Sequence, residues 1–200
     1  MKKVLIALIP IIIIASLYFS TSSDSSAYQE EISEFREEKH NFFKTSQGSP
    51  FVQKNIAYEP VQFFPADIDF RVNATLEKMT SRDFITIANS DGSQIKYLKY
   101  AIAKFKMKGT SQQLVILKAL GFGNQYLTAF ADETSGISTY GGGRYLDVVI
   151  GKSDQVVLDF NKAYNPYCAY SEEYLCPLPP RENFLEIPIE AGEKDYMMQE

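Results

Sequence analysis

The sequence predicts a mostly β fold of the α+β class: a curved antiparallel sheet forming a partly open barrel or a sandwich, with an N-terminal helix. Three observations predict it. Eight short stretches between Phe70 and Ile189 carry strand signals, with apolar and polar residues alternating in the clearest of them. Turn residues separate these stretches so closely that no crossover helix fits between them, which favours hairpins and antiparallel pairing. Helical periodicity occurs once, between Tyr28 and Lys44.

Residues 1–27 stand apart from the domain. Lys2 and Lys3 precede a nearly unbroken apolar run from Val4 to Phe19, and Ser25 and Ala27 are small residues suited to a cleavage point. The run is shorter than the roughly 20 residues that cross a bilayer comfortably. It reads as a secretory signal, with a retained N-terminal membrane anchor as the alternative and a buried apolar N-terminus as a third reading. Export or anchoring would put the soluble domain outside the cytoplasm, touching membrane only through an uncleaved segment.

Residues 28–200 read as one domain. In Tyr28–Lys44 the residues Tyr28, Ile32, Phe35 and Phe42 recur near helical spacing, and Gly48-Ser49-Pro50 ends the helix. Pro60 and Pro65 break the aromatic-rich pieces that follow. The predicted strands begin with Phe70–Leu76 and Phe84–Ala88, followed by a Ser90-Asp91-Gly92 turn. A long strand over Ile95–Met107 sets Ala101, Ala103, Phe105 and Met107 on one face and Lys104 and Lys106 on the other. Gly109-Thr110-Ser111 turns the chain into Gln113–Leu120, then Gln125–Phe130, Tyr145–Ile150, Gln155–Phe160 and Phe184–Ile189.

Charge excludes one class of partner. Without Lys2, Lys3 and Asp24 the domain has 18 Lys and Arg against 24 Asp and Glu, a net charge of −6. No dense basic face exists to release counterions, so nucleic acid is not expected as a partner. His40 is the only histidine and lies in the charged helix, which disfavours triad chemistry and a zinc site built with Cys168 and Cys176. The carboxylates at 132, 133, 147 and 159 lack the spacing of a calcium loop. No metal and no cofactor are expected.

The candidate site lies between Asp132 and Glu182. Gly141, Gly142 and Gly143 permit a backbone bend whose amides cradle an anion, with Arg144 as an added fork of donors. The bland alternative is a tight bend entering a strand, with Arg144 paired to Asp147, Asp159 or Glu182. Asp159, Asn161, Tyr164 and Asn165 form a second polar wall, or else satisfy an irregular backbone. Asp159 and Glu182 are the carboxylates available for acid–base work, and they become catalytic only where burial and a partner tune them. Cys168 and Cys176 permit a short-loop disulfide worth about 2–3 kcal/mol, or two free thiols.

The blocks FFPADIDFRV (63–72), DETSGISTYGGGRYLD (132–147) and LDFNKAYNPYCAYSEEYLCPLPPRENFLEIPIEAGEK (158–194) resemble the DUF1684 family of uncharacterised bacterial proteins. The resemblance runs from about residue 30 to residue 194 and implies a bacterial envelope location when joined to the apolar N-terminus. It supplies no activity and no catalytic residues. Two functions therefore stand: an envelope-located binding or structural module with a pocket for a small polar or anionic ligand, and a carboxylate-dependent hydrolase of a small polar substrate.

Overall fold

The computed structural model describes residues 25–80, 83–88, 94–120 and 125–196. The signal or anchor proposed for residues 1–27 and the Ser90-Asp91-Gly92 turn lie almost wholly outside them. Among the described residues no helix is long and apolar enough to cross a membrane. The chain divides into two compact units, residues 1–38 and residues 39–200. Helix α1 covers residues 25–45, close to the predicted 28–44, and its last residues belong to the second unit.

A second, short helix, α2 (Pro50–Lys54), follows at once. Ser49 caps it by accepting from the Phe51 amide at 3.2 Å, and its hydroxyl donates to the Phe43 carbonyl at 2.6 Å. Pro50 occupies the first turn, where the missing amide hydrogen costs nothing. The cap tacks α2 to the end of α1 and sets Phe43 and Phe51 edge-on at 5.3 Å in a buried aromatic cluster with Val61 and Tyr170.

Eight strands form one strongly curled half-barrel sheet: β1 (Arg71–Lys78), β2 (Phe84–Ala88), β3 (Gln94–Met107), β4 (Thr110–Ala119), β5 (Tyr126–Asp132), β6 (Arg144–Asp147), β7 (Gln155–Asp159) and β8 (Phe184–Leu185). The main order is β6-β5-β4-β3-β1-β7, with β2 on β3 and β8 on β5. All pairs are antiparallel except β5–β8. The predicted alternation in β3 holds: Ala101, Ala103, Phe105 and Met107 are buried, while Lys104 and Lys106 are exposed. The β3–β4 hairpin turns on Lys108 and Gly109, both at positive φ, one residue earlier than the glycine alone suggested. Two consecutive positive-φ residues match the strand twist in a two-residue hairpin.

The core fills the concave side with Leu76, Phe105, Leu114, Ile116, Phe130 and Phe160, all buried. The predicted final strand, Phe184–Ile189, stops at Leu185. Beyond it residues 186–196 run as an irregular strap. A buried arginine takes three of its carbonyls, those of Ile189, Ala191 and Glu193, while Gly192 and Glu193 bridge it to the segment at Gln62–Phe64.

Candidate functional site

That arginine is Arg144. Its register opposite Phe130 on β5 brings it beside Asp132, two residues further along. The side chain is fully buried, with Nη2 donating to Asp132 Oδ2 at 2.9 Å and to the Ile189 carbonyl at 2.8 Å. Nη1 donates to the carbonyls of Ala191 and Glu193. The guanidinium also lies 5.3 Å from the centre of the Phe130 ring. Asp132 Oδ1 in turn accepts from the Thr134 amide and hydroxyl, at 2.8 and 2.6 Å, and from the Ile189 amide at 3.1 Å. Burial lowers the Arg144 pKa, and the Asp132 charge opposes that shift. The network pins the strap to the sheet through both terminal nitrogens, while the buried Nε has no acceptor. None of the predicted pairings to Asp147, Asp159 or Glu182 is used.

The second predicted wall is also structural over much of its length. Asp159 is nearly buried and accepts from the Asn161 amide at 3.1 Å, capping a 3₁₀ turn over Phe160–Lys162. Fully buried Asn161 accepts from the Asp67 amide at 2.9 Å and donates to the Asp67 carbonyl at 2.7 Å, tying two distant loops. Asn165 donates its side-chain amide to the Lys194 carbonyl at 2.8 Å and its backbone amide to Glu193 at 2.6 Å. Buried Glu193 completes this anchor with Tyr170 Oη at 2.7 Å and Lys39 Nζ at 2.7 Å. Nothing in the local sequence marked Glu193, which stands among other charged residues, Glu190, Lys194 and Asp195.

The remaining candidates scatter. Gly141 and Gly142 border a shallow apolar hollow of about 380 Å³ with Leu178, Pro179 and Phe184, and Gly143 is buried. Glu182 is half exposed and paired with Lys99 at 2.8 Å, which holds its carboxyl below the usual carboxylate range. An ionised, solvent-facing carboxylate has no proton to give as a general acid near neutral pH. Cys168 and Cys176 form a disulfide across Cα atoms 5.9 Å apart. Among the described residues no three His, Cys, Asp or Glu side chains are grouped as metal ligands would be.

One predicted residue, Tyr164, opens onto a hollow of about 750 Å³. Tyr164 exchanges two backbone hydrogen bonds with Tyr145, at 2.8 and 2.9 Å, which extends the sheet past β6. Its hydroxyl donates to Asp147 Oδ1 at 2.9 Å. The C-terminal end of the first glycine- and tyrosine-rich block thus meets Tyr164 of the second at one open place. Opposite them stand Tyr100 and Tyr126, with ring centres 4.5 Å apart. Tyr100 is the extra residue of a β-bulge: β3 pairs Lys99 with Leu117 and Ala101 with Ile116, leaving Tyr100 unopposed. Bulges re-aim side chains, and here one turns an aromatic ring onto a neighbour beside the hollow. Gln125 contributes an amide, and Val149 and Ile150 form an apolar rim. Sequence reading missed Tyr100 because the alternation of β3 hides the bulge, and Tyr126 because its neighbour Tyr100 comes from another strand.

Burial pushes the hydroxyls of Tyr145, Tyr164 and Tyr170 far above their ordinary pKa of about 10, helped at Tyr164 by the Asp147 charge and at Tyr170 by that of Glu193. The folded chain holds these protons more tightly than the unfolded chain. Their contribution to stability is therefore complete below about pH 10 and is lost as pH rises further. In an alkaline titration the phenolate absorbance should rise in two stages. Exposed tyrosines ionise first, and the rest ionise together with the loss of far-ultraviolet circular dichroism. A single smooth rise with the fold intact would contradict the burial of these hydroxyls.

The comparisons with known proteins follow the same outline. A family model described as "Protein of unknown function (DUF1684)" matches residues 56–194. An uncharacterized protein of Haloarcula marismortui, solved in solution by NMR, is 31% identical over 89% of this chain and 99% of its own, with a TM-score of 0.67. No curated protein matches.

Proposed function

The chain belongs to the DUF1684 family, and from that premise we propose that it is a binding module whose Asp147–Tyr164 hollow takes a small, hydroxyl-rich polar ligand. The observation that carries this reading is the pairing of a tyrosine platform with an exposed carboxylate that has no cationic partner among the described residues. Paired rings offer an electron-rich surface to the C–H face of a sugar or polyol. Asp147 and Gln125 accept and donate to its hydroxyls, as the few polar groups of a mixed pocket do. The Asp147 charge disfavours an anion here. Hydrolase chemistry has less support, because Asp159 is spent on capping and Glu182 on Lys99.

An envelope location accompanies this proposal. The apolar run at residues 4–19 supports it, and so does the Cys168–Cys176 disulfide, since such bonds persist in oxidising compartments.

The test is a thermal-shift screen with common hexoses, N-acetylhexosamines and alditols. A ligand at a hundred times its Kd adds about 2.7 kcal/mol of stability, a rise of roughly 5–10 °C for a chain of this size. Tyr126→Ala and Asp147→Asn should each weaken that ligand at least tenfold in calorimetric titration. A screen in which none of these compounds shifts the melting point, or in which both variants bind normally, refutes the reading.

A further inference from the structure

Lined largely by residues that alternate with the buried core positions of β1, β3 and β4, a second groove of about 810 Å³ shares no residue with that hollow. Strand register builds it. Thr75 of β1 stands opposite Lys104 of β3 and Lys104 opposite Gln113 of β4, and all three line the groove; Gln155 of β7, opposite Thr75, continues the row outside that lining. Four polar side chains therefore form a row across four strands, spaced at the roughly 4.8 Å of neighbouring strands. Gln155 already donates to Thr75 at 3.1 Å. A second row carries Asn73 opposite Val157 and Lys106 opposite Ser111. Phe184, half exposed, stands at the edge of the groove beside Glu182.

The charges on this face are unequal. Glu182 is neutralised by Lys99, and Lys104 by Glu77, whose side chain is 63% exposed and free to swing away. Lys106 has no acidic partner among the described residues and is exposed. The groove thus presents a modest positive charge set among amides and hydroxyls, with an aromatic ring at one end. So sparse a charge does not suit a polyphosphate, which would need a dense basic lining. It suits a chain with one carboxylate for each several hydroxyl groups.

We infer that the row Thr75–Lys104–Gln113, with Lys106 and Phe184, is a binding surface for an extended uronic-acid oligosaccharide. Carboxylates meet Lys104 and Lys106, hydroxyls meet the amide and threonine rows, and one sugar ring packs on Phe184. The inference does not depend on the Asp147–Tyr164 hollow, which carries the opposite charge.

The experiment uses tetragalacturonate as probe and maltotetraose as its neutral counterpart, titrated into the folded chain at low and at physiological salt. Tetragalacturonate should bind saturably and weaken as salt rises, because the lysines are exposed. Lys106→Glu should reduce that affinity at least tenfold and Lys104→Glu/Lys106→Glu should abolish it. Both variants alter exposed side chains and should melt within a few degrees of the parent. Tyr126→Ala, in the other hollow, should leave tetragalacturonate binding unchanged. The inference is overturned if tetragalacturonate does not bind, if maltotetraose or polyglutamate binds as well, if Lys106→Glu has no effect, or if Tyr126→Ala removes the binding.

Discussion

Arg144→Ala lowers the unfolding free energy by about 3–5 kcal/mol, the range for removing one partner from a buried ion pair. The size of the loss comes from what is left behind. Asp132 loses its ion-pair partner in a site with no solvent, and three strap carbonyls at residues 189, 191 and 193 lose their donors. Each abandoned buried acceptor carries a desolvation penalty. Against a typical total of roughly 5–15 kcal/mol for a domain, this is a large fraction. Arg144→Lys should recover only part of it, since one ammonium cannot replace a planar fork aimed at four acceptors. The urea midpoint measures the loss, and amide exchange shows where it falls: Ile189 and Glu193 should lose protection before the β3–β4 hairpin. A loss below 1 kcal/mol would mean that the strap is held by something else.

The same residue shows where sequence reasoning stops. The glycine run before Arg144 was legible as a bend, and an arginine after a glycine run has the chemistry of an anion site. Which carboxylate it meets depends on the β5–β6 register, and register is a property of two strands, not of one motif. Asp132 lies twelve residues upstream, outside every pairing that local sequence suggested. The strands themselves were legible because burial on one face imposes a period of two, as in β3. The last strand was not: FLEIPI alternates well, yet it leaves the ladder after Leu185 and the Ile189 carbonyl satisfies a guanidinium in place of a neighbouring strand. Of the nine predicted ligand or catalytic positions, Tyr164 reached the open tyrosine-lined hollow, and Asp147, named only as a charge partner, reached it too. Gly141, Gly142 and Glu182 border other surfaces, so the predicted residues do not converge on one pocket.

The three consecutive glycines looked equivalent in sequence, and the structure gives each a different reason to be there. Gly143→Ala should therefore be the second severe substitution. Gly143 has φ +84°, where a side chain costs roughly 1–2 kcal/mol before any contact is counted. An added Cβ would also strike the Pro179 ring and stand 2.7 Å from the Phe130 carbonyl oxygen. Neither can retreat easily, because one is a proline in a rigid loop and the other is sheet backbone in the core. Overpacking of this kind costs about 1–3 kcal/mol more, for a total of roughly 2–5 kcal/mol. At Gly142 the added Cβ would meet Tyr140 ring atoms, the nearest at 2.5 Å, and a side chain can turn aside for a smaller loss. At Gly141 it would meet Gly136 no closer than 3.6 Å, an ordinary contact, and the reduced freedom of the unfolded chain offsets any strain. Urea denaturation of the three alanine variants should rank them with Gly143→Ala far the least stable and Gly141→Ala within about 0.5 kcal/mol of the parent. Equal losses at all three would mean that the run keeps bulk-free space for a ligand or partner against the whole loop; the expected gradient assigns it to the close approach of the chain entering β6 to the proline loop at one position alone.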